Sequence, residues 1–256
     1  MKITQVRNAT LLVEFGGAKF LVDPYLGEKE SYEGLPGTSN SHLRNPRTEL
    51  KTPIDELLAV DAVLVTHTHP DHWDEAAVAC IPKHLPIFVQ NDQDAKLIQS
   101  QGFKDVRVLL RETLFEGVAI VKTSGQHGSN VAIAAMGEIL GEVSGLVLKH
   151  TTEKTLYVAG DTVWNEDVRS ALEVHSPEVV VLNAGDAQVP GLGSIIMGLD
   201  DLLKVHDAAP QAVLIASHME AVNHCLLTRS ELRNYAVQHG MTDCLLVPED
   251  GEACTI

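Results

Sequence analysis

A dense group of metal-capable side chains constrains this chain more than any other feature of its sequence. The segment Thr66–Asp74 reads Thr-His-Thr-His-Pro-Asp-His-Trp-Asp and directly follows the apolar run Ala62–Val65. Its metal-capable side chains are His67, His69, Asp71 and His72. In extended backbone the first two, two residues apart, project to the same side and can reach one cation, whereas the last two follow a proline and turn toward a second point. One short loop is therefore expected to supply half of two coordination spheres, the alternative being a polar loop that is merely rich in histidine.

Length and composition predict an ordinary globular protein. The chain has 256 residues, of which 45% are apolar and 21% charged, so it can bury a substantial core. No apolar run approaches the roughly 20 residues that a membrane span needs. The start, Met1–Asn8, is strand-like and lacks the apolar block and cleavage site of a signal peptide. We therefore expect a cytoplasmic protein with no membrane partner.

The net charge argues against a nucleic-acid partner, and the cysteine spacing gives no sign of a Cys-x-x-Cys site. The formal net charge of −16 disfavours binding to a nucleic-acid backbone, which depends on Lys and Arg neutralising phosphates. The cysteines are Cys80, Cys225, Cys244 and Cys254. They show no Cys-x-x-Cys spacing, so reduced cysteines in the core are expected.

The order of apolar runs and turns predicts an α/β fold. Two alternating runs flank Gly16-Gly17, which is typical of a β-hairpin. Helices are predicted over residues 75–80, 92–101, 166–172, 199–205 and 230–239, alternating with strands. The strands at Ala62–Val65 and Ala212–Ala216 both lead to a histidine. This pattern fits two facing β-layers with ligands at one shared edge and helices outside, in a single domain over residues 1–256.

The segment from Tyr25 to Pro53 has no periodicity and is rich in Gly, Pro, Ser and Asn. A structureless stretch this long within a compact domain is usually functional or disordered. We expect an active-site flap, because the segment carries side chains that commonly contact ligands. These are Tyr25, Tyr32, His42, Arg44 and Arg47. A solvated surface excursion is the alternative.

With its His-x-His-x-Asp-His motif after a strand, the chain resembles the metallo-β-lactamase superfamily. The resemblance runs from Asp23 to His218 and implies a four-layer αββα metallo-β-lactamase-like sandwich. Within the superfamily the chain looks closest to the branch that includes the L-ascorbate-6-phosphate lactonase, by its short N-terminal meander and the Asp-Pro that follows it. Many members of that branch have an early histidine, where this chain reads Arg7-Asn8-Ala9-Thr10.

The resemblance also implies the remaining metal ligands. His127, between Gln126 and Gly128, matches the third histidine of the first metal site, which would also contain His67 and His69. The bridging carboxylate matches Asp161 in Gly160-Asp161-Thr162, for which a helix cap is the alternative. The second metal would be held by Asp71, His72 and His218.

Two further residues are expected beside the metals. Asp23 matches the early aspartate of the superfamily, which orients a ligand imidazole through a hydrogen bond. His224 competes with His218 for the last ligand position, but His218 directly ends an apolar strand. We therefore assign His224 to substrate contact or to support of the ligands.

The ligand set implies a metal-dependent hydrolase of a small molecule: a lactone, ester, amide or phosphoester. Two divalent metals, zinc first with manganese or iron as alternatives, would hold a hydroxide that attacks the substrate, and Asp71 or Asp161 would relay the proton. The alternatives are an iron-dependent oxidoreductase or dioxygenase, a nuclease or phosphodiesterase on the same scaffold, and a non-catalytic metal-binding protein. A small-molecule substrate, with no nucleic acid, is the expected partner, and the sequence defines no oligomeric state.

Overall fold

The computed structural model describes residues 1–256 and contains two large β-sheets with helices on their outer sides. The strands are β1 (Lys2–Arg7), β2 (Thr10–Phe15), β3 (Ala18–Val22), β4 (Ala62–Val65), β5 (Ile87–Val89), β6 (Val106–Val108), β7 (Thr113–Phe115), β8 (Val118–Ser124), β9 (Ser144–Lys149), β10 (Leu156–Val158), β11 (Val179–Asn183), β12 (Gln188–Val189), β13 (Gly193–Ser194), β14 (Val213–Ser217), β15 (Leu245–Leu246) and β16 (Ala253–Thr255). The helices are α1 (Ile54–Leu57), α2 (Glu75–Cys80), α3 (Asp92–Ser100), α4 (Asn130–Leu140), α5 (Glu166–His175), α6 (Leu199–Ala208) and α7 (Arg229–Gln238).

Each large sheet has seven strands. The first has the order β16-β1-β2-β3-β4-β5-β6, and the second has the order β15-β14-β11-β10-β9-β8-β7. The predicted hairpin at Gly16-Gly17 joins β2 and β3, which pair antiparallel. From β3 to β6 the pairing is parallel, as expected where helices connect successive strands.

Apolar side chains fill three layers between the elements. The facing sheets enclose one cluster that includes Phe20, Leu64 and Ile215. The outer face of the first sheet packs against α1 to α3 through side chains such as Ile98, and the outer face of the second packs against α5 to α7 through side chains such as Leu202. The molecule is therefore the predicted four-layer αββα sandwich.

Strand direction gathers several loops at one edge of the sandwich. In the first sheet β3 and β4 are parallel, so Asp23 and the histidine-rich loop follow strands that end at the same edge. In the second sheet β10, β11 and β14 are parallel, and β8 is antiparallel to β9, which is itself antiparallel to β10. The loops after β8, β10, β11 and β14 consequently meet at one edge. The hydrogen bonds that join the sheets there include those from Ser144 Oγ to the Thr66 carbonyl (2.9 Å) and from the His218 amide to the Asn8 carbonyl (2.8 Å).

Every helix predicted from the sequence is present, with ends that differ by up to three residues. Helix α4 was not predicted, because its sequence Asn-Val-Ala-Ile-Ala-Ala-Met-Gly-Glu-Ile-Leu carries one charged residue and no clear polar face. The Ser129 side chain caps it by accepting from the Ala132 amide, and Met136 interrupts its helical backbone. Strand β16 was also missed, since it is short and gains its pairing from β1 at the opposite end of the chain.

No helix of the structure is both long and apolar enough to span a lipid bilayer.

Candidate metal centre

The side chains predicted to bind metal converge at the edge where the strand ends meet. Donor atoms lie within 4.8 Å of one another in three overlapping groups. These groups are His67, His69 and His127; His67, His72 and Asp161; and Asp71, His72 and His218. All of them except the half-buried His69 are buried. The structure thus brings together every predicted ligand, in the two halves that the spacing of the loop suggests.

The first half is built on the histidine-rich loop and on the loop after β8. His67 Nε2 lies 3.1 Å from His69 Nδ1. Nearby, Asp161 Oδ2 lies 3.6 Å from His127 Nε2 and 3.9 Å from His67 Nε2. Three imidazole nitrogens and one carboxylate oxygen therefore face a common point.

The second half uses the other end of the same loop. Asp71 Oδ2 lies 3.2 Å from His218 Nε2, and Asp161 Oδ2 lies 3.2 Å from His72 Nε2. The other oxygen of Asp161, Oδ1, lies 3.6 Å from His218 Nε2. Asp161 consequently faces both halves.

The backbone before Asp161 allows this central position. Gly160 has φ +70°, a conformation that side chains disfavour, and a Cβ there would lie 2.3 Å from the Ser144 carbonyl oxygen. Only glycine lets the loop after β10 approach the neighbouring strand so closely. The alternative role of Asp161, a helix cap, is taken by Asn165, whose side chain accepts from the Val168 amide at the start of α5.

Asp23 holds the histidine-rich loop in place. Its Oδ1 accepts from the Thr66 amide (2.7 Å), and its Oδ2 accepts from Thr66 Oγ1 (2.7 Å). Oδ2 also lies 2.9 Å from His72 Nδ1, which leaves the other nitrogen of that ring toward Asp161. This position is the one expected of a residue that orients a ligand imidazole.

Backbone carbonyls orient two further imidazoles. His127 Nδ1 lies 2.8 Å from the Ile195 carbonyl oxygen, and His69 Nε2 lies 3.0 Å from the Ile139 carbonyl oxygen in α4. In each ring the carbonyl contacts the nitrogen that faces away from the cluster. That nitrogen therefore carries the proton, and the nitrogen that faces the cluster keeps its lone pair free to bind a metal. Helix α4, which sequence reasoning missed, therefore helps to shape the site.

Sequence reasoning also missed two side chains that touch the ligands. Asn183 Nδ2 donates to Asp161 Oδ1 at 2.7 Å, and Cys225 Sγ lies 3.4 Å from His218 Nδ1. Asn183 could have been suspected, because it ends a strand next to Gly185, whereas a lone cysteine gives no comparable indication.

Asn8 is the third missed residue, at the place where many lactonase-branch members carry a histidine. It is fully buried with φ +53°, in the turn between β1 and β2. Its Nδ2 donates to the Asp71 carbonyl at 3.0 Å and lies 3.4 Å from His218 Nε2. Asn8 thus ties the first sheet to the second half of the cluster.

Burial and opposite charges divide the cluster into neutral and charged groups. Burial, together with the neighbouring His72 and His69, holds the pKa of His67 well below its usual value. Burial also opposes the charged form of His72, but Asp161 and Asp23 outweigh it and raise the pKa of His72 to about 10. The same attraction, from His72 and His218, keeps the pKa of Asp161 well below its usual value despite burial. Asp161 and Asp23 thus favour the charged form of His72 beside a neutral His67.

The residues present fit divalent metal ions. Imidazole nitrogens and carboxylate oxygens are ligands that zinc, manganese and iron accept. His67 Nε2 faces His69 Nδ1 at 3.1 Å, and two imidazole lone pairs placed so close together are stabilised by a shared cation. The cluster can therefore bind metal.

A cavity of about 180 Å³ opens beside the cluster. The polar side chains on its wall include Thr38, His69, Asp71, His127, Asp161 and His224. The rest of the wall is apolar and is formed by Leu35, Pro36, Pro70, Met136, Ile139, Leu140, Val189 and Ile195. No lysine or arginine lines this cavity.

His224 lies on the cavity wall and outside the three donor groups. Its side chain is 4% exposed, and its Nδ1 is buried without a hydrogen-bond partner. Burial lowers the pKa of His224 to about 4, so the ring is neutral at pH 7. The structure thus places His224 where substrate contact is possible, while His218 occupies the ligand position.

The segment expected to form a flap lies over the cavity. It has no helix or strand, and its residues Leu35, Pro36 and Thr38 form part of the cavity wall. Asn223 fastens it: its Oδ1 accepts from the Leu35 amide (3.0 Å) and Asn45 Nδ2 (2.7 Å), and its Nδ2 donates to Thr38 Oγ1 (2.9 Å). The predicted flap therefore contacts the site.

Comparisons with known proteins identify the family. Residues 18–219 match the model of the beta-lactamase superfamily domain. The UPF0173 protein YddR of Bacillus subtilis (strain 168) is 49% identical over 256 residues, which is all of both chains. A UPF0173 metal-dependent hydrolase of Koribacter versatilis (strain Ellin345) is 30% identical over 189 residues, 73% of each chain. The chain belongs to the beta-lactamase superfamily and, within it, to the UPF0173 proteins.

A solved structure extends the likeness to the whole fold. The crystal structure of an isothiocyanate hydrolase from Delia radicum gut bacteria superposes with a TM-score of 0.98 and 51% identity, covering 100% of this chain and 99% of that one. The predictions of the superfamily and of a metal-dependent hydrolase are confirmed at this level. The lactonase-like branch, the role of each site residue, and the number and identity of the metals stay predictions.

Proposed function

We propose that this protein hydrolyses small apolar isothiocyanates, R–N=C=S, with two divalent metal ions, zinc in the first instance. The observation that carries the proposal is the apolar cavity of about 180 Å³ that ends at the donor cluster and has no cationic residue on its wall. The 51% identity to an isothiocyanate hydrolase supports the same substrate class.

In this proposal His67, His69 and His127 would hold one metal, while Asp71, His72 and His218 would hold the other. Asp161 would contact both, because its oxygens lie near histidines of the two halves. When bound, such a pair of metals acidifies water and polarises the electrophilic atom of a substrate. Asp23, Asn183 and the two backbone carbonyls fix the ligands before substrate arrives, so that no reorganisation is needed during the reaction.

The reaction balances with water as the only co-reactant. The oxygen of water forms a bond to the central carbon, and the π electron pair of the N=C bond moves to nitrogen. Asp71, which lines the cavity, accepts the proton that the attacking water loses, and that proton ends on the nitrogen. In R–NH–C(=S)–OH the hydroxyl proton then moves to nitrogen, the electron pair of the O–H bond forms the second C–O bond, and the C–N bond breaks with its pair on nitrogen, which releases the amine R–NH2 and carbonyl sulfide.

The cavity wall selects for an uncharged substrate. Leu35, Met136 and Ile139 can bury an alkyl or aryl group at about 25 cal/mol per Å² of apolar surface. A phosphorylated lactone would instead require cationic partners for its phosphate, and the cavity offers none. The geometry therefore favours the isothiocyanate over the substrate of the lactonase branch.

The test is a turnover assay with 2-phenylethyl isothiocyanate. Purified protein loaded with zinc should consume it and release 2-phenylethylamine in equal amounts, and exhaustive chelation followed by zinc addition should abolish and restore the activity. Esters, lactones and phosphodiesters serve as comparison substrates. No amine release above the rate in buffer, or a higher kcat/KM for a phosphodiester, would overturn the proposal.

A further inference from the structure

His224 is the one cavity-wall histidine that belongs to no donor group. It is 4% exposed, lies on the wall together with Asp71 and Asp161, and has a buried Nδ1 with no hydrogen-bond partner. Nδ1 is closed off from the cavity, whereas Nε2 is not fully buried and has no hydrogen-bond partner either, so Nε2 is the ring nitrogen that a bound molecule can reach and satisfy. No carboxylate lies within 4 Å of this ring to hold it as an ion pair, in contrast to His72 and His218.

The backbone on both sides of His224 is fixed. Its carbonyl accepts from the Gln188 amide at 2.9 Å, and the preceding Asn223 amide donates to Asn45 Oδ1 at 2.8 Å. The following residue, Cys225, pairs with Ala187 in an isolated antiparallel bridge. The backbone therefore holds the imidazole at a fixed place on the cavity wall, as a pre-organised contact to a ligand requires.

Metal binding does not explain this histidine. The ligand place at the end of β14 is filled by His218, whose Nε2 lies 3.2 Å from Asp71 Oδ2. His224 shares no donor group with that pair. His224 also does not support a ligand in the way that Cys225 does, whose Sγ lies 3.4 Å from Nδ1 of the predicted ligand His218. The ring is thus close to the reacting centre and remains available to a bound molecule.

We propose that the Nε2–H group of His224 donates a hydrogen bond to the nitrogen of the N=C=S group. This inference rests on the proposed function. When water adds to the central carbon, the electron pair of the N=C bond moves to nitrogen, and a fixed donor there stabilises the developing negative charge. The imidazole keeps its own proton through the step, because the proton that nitrogen finally carries comes from water. His224 is thereby a catalytic residue that contacts substrate.

The experiment compares His224→Leu, which removes the donor, with His224→Gln, which retains an N–H group. His84→Leu, at an exposed histidine that is not on the cavity wall, is the matched control. Two readouts are measured on each protein. The first is kcat/KM for 2-phenylethyl isothiocyanate, and the second is the Kd of thiocyanate, a linear N–C–S anion, from the visible absorption of the cobalt-loaded protein.

We expect His224→Leu to lower kcat/KM about 100-fold, as the loss of one fixed donor does in other hydrolases, with unchanged cobalt content. Thiocyanate should bind it about tenfold more weakly, which corresponds to about 1.4 kcal/mol. His224→Gln should recover most of both losses, and the control should match the parent. Circular dichroism of both His224 variants checks that the fold is retained.

Three results would overturn the inference. His224→Leu could match the parent within twofold in both readouts; it could lose cobalt, which would make His224 a metal ligand; or His224→Gln could be as impaired as His224→Leu in thiocyanate binding. If the parent does not consume isothiocyanates, the proposed function fails. The thiocyanate measurements alone then decide whether His224 donates to an N–C–S group.

Discussion

Asp161 occupies the centre of the cluster, and its two oxygens lie near histidines of both halves of the predicted metal centre. Oδ2 lies within 3.9 Å of His67, His72 and His127, whereas Oδ1 lies 3.6 Å from His218. Two divalent cations about 4 Å apart repel each other strongly, and a shared carboxylate offsets part of that repulsion. The charge of this one residue should therefore decide whether a second metal is held.

Asp161→Asn keeps the shape of the side chain and removes its charge. We expect the variant to fold, to keep the metal at His67, His69 and His127, to lose most of the second metal, and to lose at least about 100-fold in kcat/KM. Elemental analysis after gel filtration measures the metal-to-protein ratio. A ratio equal to that of the parent, with normal turnover, would place the bridging ligand elsewhere.

Asp23 should act through the residues that it orients. Its carboxylate contacts His72 Nδ1 and both the amide and hydroxyl of Thr66, so Asp23→Ala frees the loop that carries four predicted ligands. We expect metal affinity or activity to fall about 10- to 100-fold. Competition for zinc with a chromophoric chelator measures the affinity. Asp105→Ala, which removes an exposed partner of Arg107, is the control, and equal zinc affinity in the two variants would contradict this role.

Residue identity could be predicted where it is tied to spacing or to a familiar motif. The histidine-rich loop was found from its own spacing, and His127, Asp161 and His218 were found from their places after strands in a family pattern. Asn8 and Asn183 were not found, because each acts by donating to a neighbouring side chain or carbonyl that lies far away in sequence. Such contacts depend on tertiary packing: Asn8 has no local pattern, and for Asn183 the one local indication is its place at the end of a strand.

At the scale of elements, the site depends on strand ends and on the flap. Strand positions follow from apolar runs, so the edge at which the ligands meet was predictable. Helix α4 and strand β16 were not, because α4 lacks amphipathic spacing and β16 owes its pairing to β1. The flap was recognised only by its lack of periodicity. Its anchoring by Asn223 was not, since a single asparagine in a loop carries no indication of its partners.

Asn223→Ala should release the flap. Asn223 is 3% exposed, and its side chain bonds to backbone and side-chain groups of residues 35–45. Its loss leaves buried groups unsatisfied, so we expect the free energy of unfolding to fall by about 3 kcal/mol and KM to rise. Urea unfolding measures the first effect and steady-state kinetics the second, while limited proteolysis within residues 34–45 detects release of the flap. Asn234→Ala, on the exposed face of α7, is the control, and identical cleavage rates in the two variants would contradict the anchoring role.

At the scale of the whole molecule, metal binding is coupled to protonation. In the metal-free protein the pKa of His72 is raised to about 10 and that of His218 lies well above its usual value, so both rings hold a proton at neutral pH. The stabilisation that the His72 proton gives is complete below about pH 6.5 and is lost as the pH rises toward about 10. A metal that takes both nitrogens must displace these protons.

We therefore expect zinc to release about two protons per chain at pH 7.5. A pH indicator in weakly buffered solution measures the release as zinc is added to metal-free protein. Thermal unfolding at pH 9 should show a larger gain from zinc than at pH 7, because the metal-free fold has by then lost part of its stabilisation. Zinc uptake without proton release would contradict the charge distribution described here.

The central claim is that one edge of the sandwich holds two metals, shared by Asp161. The most direct measurement is an anomalous difference map from zinc-grown crystals, collected on both sides of the zinc absorption edge. We expect two peaks about 3.5–4 Å apart, one within bonding distance of His67, His69 and His127 and the other of Asp71, His72 and His218, with Asp161 contacting both. A single peak at saturating zinc, or peaks that Asp161 does not contact, would contradict it.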